Sequence, residues 1–141
     1  MTNRTLAIIK PDAVKNNYSG KIISIIIESG FKILAGRFIS LSLTRAKGFY
    51  AVHKGKPFFE ELTKFMSSGP CWILALEKEN AVDEWRKTIG NTNPADADRG
   101  TIRKLYATNL SENAVHGSDS DENAAIEIAF FFSEADLISS Q

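Results

Sequence analysis

Four short apolar runs of strand length constrain the fold of this chain more than any other feature. Residues 5–9 form the first run, which stops at Lys10-Pro11-Asp12, so a strand is predicted to deliver Lys10 to its carboxyl end. Residues 33–43 alternate between apolar and polar side chains with the period of two typical of a half-buried strand. Residues 71–76 are a continuous apolar run and residues 126–132 are apolar except for Glu127, and these runs predict the third and fourth strands.

Helical patterns separate these runs. Ser19 is a candidate cap for a first helix, and Gly30 closes it. Residues 44–67 hold two shorter helical patterns, which predict an inserted helical hairpin. Asn80 is a candidate cap for a further amphipathic helix. Residues 90–120 show no periodicity, so a long irregular loop is expected before the last strand.

This element order predicts an α+β fold of the ferredoxin-like βαββαβ type, with a four-stranded antiparallel sheet and helices on one face. Glu127 would then lie on the fourth strand, with its side chain opposite to those of Ile126 and Ile128. The length favours one domain over residues 1–141. Such a fold hosts many activities, so the function has to come from particular residues.

Charge and cysteine content argue against several classes of protein. The 17 basic and 17 acidic residues cancel, which leaves no net field to hold nucleic acid or an anionic membrane. No apolar run approaches the roughly 20 residues of a membrane span, and no signal-peptide core precedes the first strand. We therefore expect no membrane or nucleic-acid partner, and a cytoplasmic location. Cys71 is interpreted as a buried, inert thiol.

The segment Asn113-Ala114-Val115-His116-Gly117-Ser118-Asp119 most suggests catalysis, because glycine and small polar neighbours leave an imidazole accessible. An ordinary imidazole has a pKa of about 6.5, so it is mostly neutral at pH 7 and has a free lone pair. A lone histidine is nevertheless more often an ordinary loop residue. Other parts of the chain have to show which of the two roles His116 has.

Three further features bear on His116. Arg86 and Arg103 offer planar forks that suit phosphate oxygens, although either could simply be solvated. Thr92 could donate to an anion or only stabilise its turn. Glu127 could bond one nitrogen of His116 and so determine which nitrogen stays nucleophilic.

Taken together, these motifs resemble the nucleoside diphosphate kinases over residues 4 to about 135. The resemblance rests on Lys10-Pro11-Asp12, on Arg86 ahead of Asn91-Thr92-Asn93-Pro94, on Gly100-Thr101-Ile102-Arg103, and on the segment around His116. The His-Gly-Ser-Asp sequence with its upstream asparagine is the most specific part.

The resemblance implies transfer of the γ-phosphoryl group from a nucleoside triphosphate, usually ATP, to other nucleoside diphosphates. The route would be ping-pong, with His116 as the phosphorylated residue. Five further residues would take part in catalysis: Lys10, Tyr50, Asn113, Ser118 and Glu127.

The resemblance also implies a nucleotide-binding set. The phosphates or sugar would be contacted by Lys10, Arg86, Thr92, Arg103 and Asn113. Phe58 would stack on the base with Leu62 beside it, although a core-facing role for both side chains is an alternative. Mg²⁺ would be held mainly through the nucleotide phosphates rather than by protein ligands, and the protein would be a homo-oligomer, either tetrameric or hexameric.

Two other classes of function are alternatives for this sequence. A non-catalytic nucleotide-binding module would keep Phe58 and the two arginines but would not need His116 and Glu127. A sheet-type RNA-binding domain would need a basic surface and exposed aromatic residues on the central strands. The neutral charge and the apolar central strands count against it.

Overall fold

A four-stranded antiparallel sheet lies at the centre of the computed structural model, which describes residues 3–137. Its strands are β1 (Arg4–Ile9), β2 (Lys32–Ile39), β3 (Cys71–Glu77) and β4 (Val115–Gly117). They lie in the order β2-β3-β1-β4, and β1 pairs antiparallel with both β3 and β4. The predicted α+β, ferredoxin-like class is confirmed.

Helices and short turns connect the strands. The helices are α1 (Pro11–Lys15), α2 (Ser19–Glu28), α3 (Leu43–Phe49), α4 (Phe59–Met66), α5 (Ala81–Ile89), α6 (Ile102–Tyr106) and α7 (Asp121–Phe131). Single 3-10 turns cover Ala51–His53, Pro94–Asp96 and Glu134–Asp136. Within the described range, no helix combines the length and the apolar character that a membrane crossing requires.

Both faces of the sheet are buried. Leu6 and Ile8 of β1 belong to one apolar cluster, and their neighbours Ala7 and Ile9 belong to another, because successive side chains point to opposite faces. Helices α2 and α5 cover the face of Ala7, as the ferredoxin-like arrangement predicts. The inserted pair α3 and α4, together with α7, cover the other face. The expectation of helices on one face is therefore too narrow, and double burial explains why β1 and β3 read as continuous apolar runs.

The predicted helices form, but several elements begin, end or are capped differently from the expectation. Ser19 is the first residue of α2 rather than its cap, and Gly30 adopts the left-handed φ of 90° just after the helix. Asn80 stands at the cap position of α5, but its side chain makes no capping bond. The second strand ends at Ile39, earlier than predicted, because Ser42 caps α3 through the N–H of Arg45.

The predicted fourth strand is wrong. Residues 126–132 lie almost entirely in α7, whose first turn is capped by Ser120. Buried Ala124, Ile128 and Phe131 have helical spacing, but Ile126 is 68% exposed on another side of the helix. An apolar residue on the exposed side hides the helical period in the sequence.

The true fourth strand lies inside the segment that was expected to be irregular. Residues 90–120 contain a 3-10 turn, α6 and β4, whose three residues pair with Ala7, Ile8 and Ile9 of β1. A three-residue strand has no detectable alternation, and it exists only because β1 supplies its hydrogen-bonding partners. This correction places His116 on the sheet rather than in a loop.

Candidate active site

His116 stands on the edge strand β4 with its backbone held on two sides. It lies opposite Ile8 of β1, and its carbonyl oxygen accepts a hydrogen bond from the indole Nε1 of Trp85 at 3.1 Å. The next residue has to be Gly117, because a Cβ there would lie 2.8 Å from Cδ1 of Trp85. The His116 side chain itself is 16% exposed. The sheet therefore holds the imidazole in place while leaving it reachable.

Glu127 orients the imidazole from α7. Its Oε1 lies 2.8 Å from Nε2 of His116 and also accepts the Ser118 hydroxyl at 2.8 Å. The backbone N–H of Leu6 in turn donates to the Ser118 oxygen at 3.2 Å. A carboxylate only accepts, so Nε2 carries the proton and Nδ1 keeps its lone pair. Within residues 3–137 no hydrogen bond engages Nδ1.

Lys10 and Asn113 meet beside the histidine strand. The Lys10 ammonium donates to Oδ1 of Asn113 at 2.8 Å, and both side chains are buried. Burial, followed by the nearby charge of Arg103, lowers the pKa of Lys10 to about 8, and the charge of Asp12 opposes the shift. Asn113 is fixed through its amide, which donates to the Leu110 carbonyl at 3.1 Å.

Arg103 is anchored by backbone carbonyls. Its guanidinium donates to the oxygens of Gly90 at 2.9 Å, Val115 at 2.9 Å and Asn113 at 3.4 Å. Burial lowers the pKa of Arg103 to about 10, with the charge of Arg86 as a second cause. The group stays cationic at neutral pH, and these bonds leave part of its donor set for a ligand.

A pocket of about 470 Å³ opens beside His116. One wall is apolar and includes Phe58, Leu62 and Leu110, and the other includes Lys10, Asn113, Arg103 and Thr92. Phe58 is 47% exposed, so the core-facing alternative is wrong for this residue. Leu62 serves both surfaces, since it lines the pocket and also packs against the core.

A second, more polar pocket of about 550 Å³ continues the first. It is lined by Arg86 and Lys87, and it shares Thr92, Arg103 and Gly117 with the pocket beside His116. The three residues expected from the sequence to meet phosphates, Arg86, Thr92 and Arg103, thus line one polar cleft, which also includes the acidic Asp96 and Asp98. This cleft leads to the imidazole.

Tyr50 also lies near the histidine, with its ring centroid 6.1 Å from that of His116. Its hydroxyl is buried without a hydrogen-bond partner, and burial followed by the charge of Glu127 raises its pKa. Tyr50 therefore acts on the site as a neutral, packed ring. Each predicted site residue lines this cleft or contacts a residue that does.

Sequence reasoning missed several residues of the pocket. The Phe49 ring meets the His116 ring edge-on at 5.4 Å, and the ring of the second histidine, His53, lies 5.3 Å from that of Phe58. Leu110 is 57% exposed on the loop before Asn113, and Glu61 lines the mouth of the pocket. Phe49 precedes Tyr50 directly, which was the only signal available for it. The other three join the site through tertiary packing alone.

Metal-binding side chains do not cluster in this cleft. Across residues 3–137, no group of three or more His, Cys, Asp or Glu side chains is arranged to hold a metal ion.

Comparisons with known proteins agree with this geometry. The family model described as nucleoside diphosphate kinase matches residues 3–137. The chain is 54% identical to a nucleoside diphosphate kinase of Geobacter sp. (strain M21) over 135 residues, covering 96% of this chain and 98% of that protein. It is 57% identical to one from Flavobacterium psychrophilum over 131 residues, covering 93% and 94%.

Two solved structures are also close. The nucleoside diphosphate kinase of Aquifex aeolicus superposes with a TM-score of 0.95 at 40% identity, covering 98% of this chain and all of that one. The halophilic enzyme from Halobacterium salinarum, solved in complex with CDP, superposes with a TM-score of 0.93 at 34% identity. That alignment covers 100% of this chain and 94% of the other.

Proposed function

Because the chain belongs to the nucleoside diphosphate kinase family of phosphotransferases, we propose that His116 carries a phosphoryl group between nucleotides in a ping-pong reaction. The γ-phosphoryl group would come from a nucleoside triphosphate, usually ATP, and pass to another nucleoside diphosphate. The observation that carries this proposal is the bond between Glu127 and Nε2, which leaves Nδ1 of His116 as the free nucleophile.

In the first half-reaction Nδ1 attacks the γ-phosphorus. The bond from that phosphorus to the bridging oxygen breaks, and the nucleoside diphosphate leaves with the electron pair. The proton on Nε2 stays in place, and the Glu127 carboxylate stabilises the positive charge that develops on the ring. In the second half-reaction a terminal phosphate oxygen of another diphosphate attacks the phosphohistidine, and the lone pair returns to Nδ1.

Charge stabilisation falls to the basic residues of the cleft. Phosphoryl transfer needs mainly positioning and neutralisation of the transferring oxygens. Lys10 is held in place by Asn113, and Arg103 is held by backbone carbonyls, so little reorganisation is needed when the phosphates arrive. Arg86 and Thr92 extend the cleft and would bind the remaining phosphate oxygens.

We propose Mg²⁺ as the cofactor, held mainly by the nucleotide phosphates. The ion would neutralise phosphate charge, as it does for nucleotides in general. In this proposal the protein side chains bind the nucleotide rather than the ion.

The base would be held by stacking. Phe58 offers an exposed ring on the apolar wall, with Leu62 beside it. Every base has a π-face, so stacking supports low selectivity among nucleotides. The CDP complex of the Halobacterium salinarum relative supports nucleotide binding by this fold.

We propose a homo-oligomer, tetrameric or hexameric, built on a repeated dimer. Strand β2 lies at an edge of the sheet, and a sheet edge is a template for pairing with another copy. Ile27 of the neighbouring α2 is 58% exposed. The cytoplasmic location stays a prediction from the sequence.

The test is the mass of the intact protein after brief incubation with Mg-ATP, kept alkaline because phosphohistidine is acid-labile. One added phosphate is expected, and a GDP chase should remove it and form GTP. His116→Ala should take up none, whereas the matched variant His53→Ala should still accept one phosphate. Nucleotide binding without any labelling of the wild type would favour a non-catalytic binding module instead.

A further inference from the structure

The turn that leads into the histidine strand is strained. Ala114 has a φ of 71° although it is not glycine, and it is fully buried. The N–H of Val115 donates to the carbonyl of Asn113 at 2.8 Å, so these three residues form a γ-turn centred on Ala114. A γ-turn with positive φ is rare and costly, and it persists only where the surroundings hold it.

Two residues of the Lys-Pro-Asp segment hold this turn. Oδ2 of Asp12 accepts the N–H of Ala114 at 3.1 Å, and the N–H of Lys10 donates to the carbonyl of Ala114 at 2.8 Å. Both backbone polar groups of the strained residue are therefore used. Without the carboxylate, a buried N–H would lose its partner.

The Asp12 carboxylate is buried where it makes this contact. Asp12 is 6% exposed, and its other oxygen, Oδ1, is buried without a hydrogen-bond partner. Burial raises the pKa of Asp12, and the Ala114 N–H, the Lys10 charge and the backbone N–H groups of Ala13 and Asp12 oppose that shift. Burying a carboxylate carries a desolvation cost, which limits what it adds to stability. Its position at the turn therefore suggests a role beyond stability.

The turn connects two groups that the proposed reaction uses. Asn113 immediately precedes Ala114 and binds the Lys10 ammonium, and His116 follows two residues later. Relaxation of Ala114 to a negative φ would move both Asn113 and the start of β4. A shift of about 1 Å in such groups can reduce a rate by about 100-fold.

We propose that Asp12 is a positioning residue: its carboxylate holds the γ-turn at Ala114 and thereby sets the places of Asn113 and His116. This role rests on the proposed phosphorylation of His116. It differs from a role in stability alone, because it acts on the rate of transfer in protein that is fully folded.

The test is the single-turnover rate of His116 phosphorylation from Mg-ATP, measured well below the melting temperature of every variant. Asp12→Ala is expected to slow the reaction by about 10- to 100-fold. The double variant Asp12→Ala with Ala114→Gly should react at least about 5-fold faster than Asp12→Ala alone, because glycine adopts positive φ without strain. Asp12→Asn keeps an acceptor at the turn and should retain more of the rate than Asp12→Ala.

Ile26→Val is the control, because it removes a buried methyl group from α2 outside the pocket. It should lose stability without slowing phosphorylation. If Asp12→Ala does not fold, Asp12→Ser is measured instead. The serine side chain is one bond shorter than that of aspartate, so its hydroxyl does not replace the contact with the Ala114 N–H.

Two results would overturn the proposal: a wild-type rate in folded Asp12→Ala or Asp12→Ser, or no recovery when Ala114→Gly is added. Failure of the wild type to label would instead refute the proposed function.

Discussion

Lys10 shows how burial prepares a single residue for a charged ligand. Its ammonium is almost fully enclosed and is held by Oδ1 of Asn113. Desolvation disfavours the charged form of an amine, which is why the pKa of Lys10 falls to about 8. The amine is mostly charged at pH 7, and the charge is lost as the pH rises through that value.

We therefore predict an alkaline limb in the pH profile of kcat/KM, since this ratio reports the free enzyme. The ratio should fall as pH rises above about 8, because deprotonated Lys10 no longer attracts phosphate. Steady-state rates between pH 6 and pH 10 would reveal the limb. Lys10→Met should have a lower ratio without this limb, and an identical limb in that variant would assign it to another group.

At the scale of elements, the short strand β4 depends on what surrounds it. β1 supplies its hydrogen bonds on one side, and Trp85 of α5 fixes the His116 carbonyl. Helix α5 approaches so closely that Gly117 is required, as a Cβ there would also lie 3.1 Å from Cδ1 of Ile89. Packing of α5 therefore determines where the histidine strand lies.

We predict that Gly117→Ala lowers the free energy of unfolding by about 1–3 kcal/mol, the usual cost of overpacking a core. Urea denaturation would measure the loss, and phosphorylation should slow as β4 is displaced. Gly20→Ala is the matched control, because nothing lies within 4 Å of its added Cβ. In helix α2 that change should raise the free energy of unfolding by about 0.5–1 kcal/mol. Equal effects of the two variants would contradict the packing argument.

At the scale of the molecule, the pocket forms between parts of the chain that are distant in sequence. The inserted hairpin supplies Phe58 and Leu62, and the loop before β4 supplies Leu110. Ser111 of this loop donates a hydrogen bond of 3.4 Å to Glu61 of the hairpin. The base site is thus a product of the whole fold rather than of one motif.

We predict that Phe58→Ala weakens nucleotide binding by about 1–3 kcal/mol for all bases alike, because the lost interaction is stacking. Calorimetric titration with ADP, GDP, CDP and UDP would measure it. Phe38→Ala, which removes an exposed ring of β2 outside the pocket, should leave these affinities unchanged. A loss confined to one base would mean that base edges are recognised instead.

Local patterns in the sequence were sufficient for much of the fold. Short apolar runs predicted β1 and β3, alternation predicted β2, and helical spacing with caps predicted α2, α5 and the α3–α4 hairpin. The same patterns failed for α7 and β4. One has apolar side chains on its exposed side, and the other is too short to show a period.

The chemistry of the site was already present in the sequence, because it depends on residue identity: an imidazole at His116, a carboxylate at Glu127, and cations at Lys10 and Arg103. Their contact distances and their burial were decided only by the tertiary structure. Glu127 illustrates the difference, since its bond to His116 was expected from a strand and is made from a helix. The contact between Asp12 and the γ-turn at Ala114 also needed the fold, because it joins residues 102 positions apart. Local sequence determines local conformation, but strain, desolvation and long-range contacts arise only when the elements pack together.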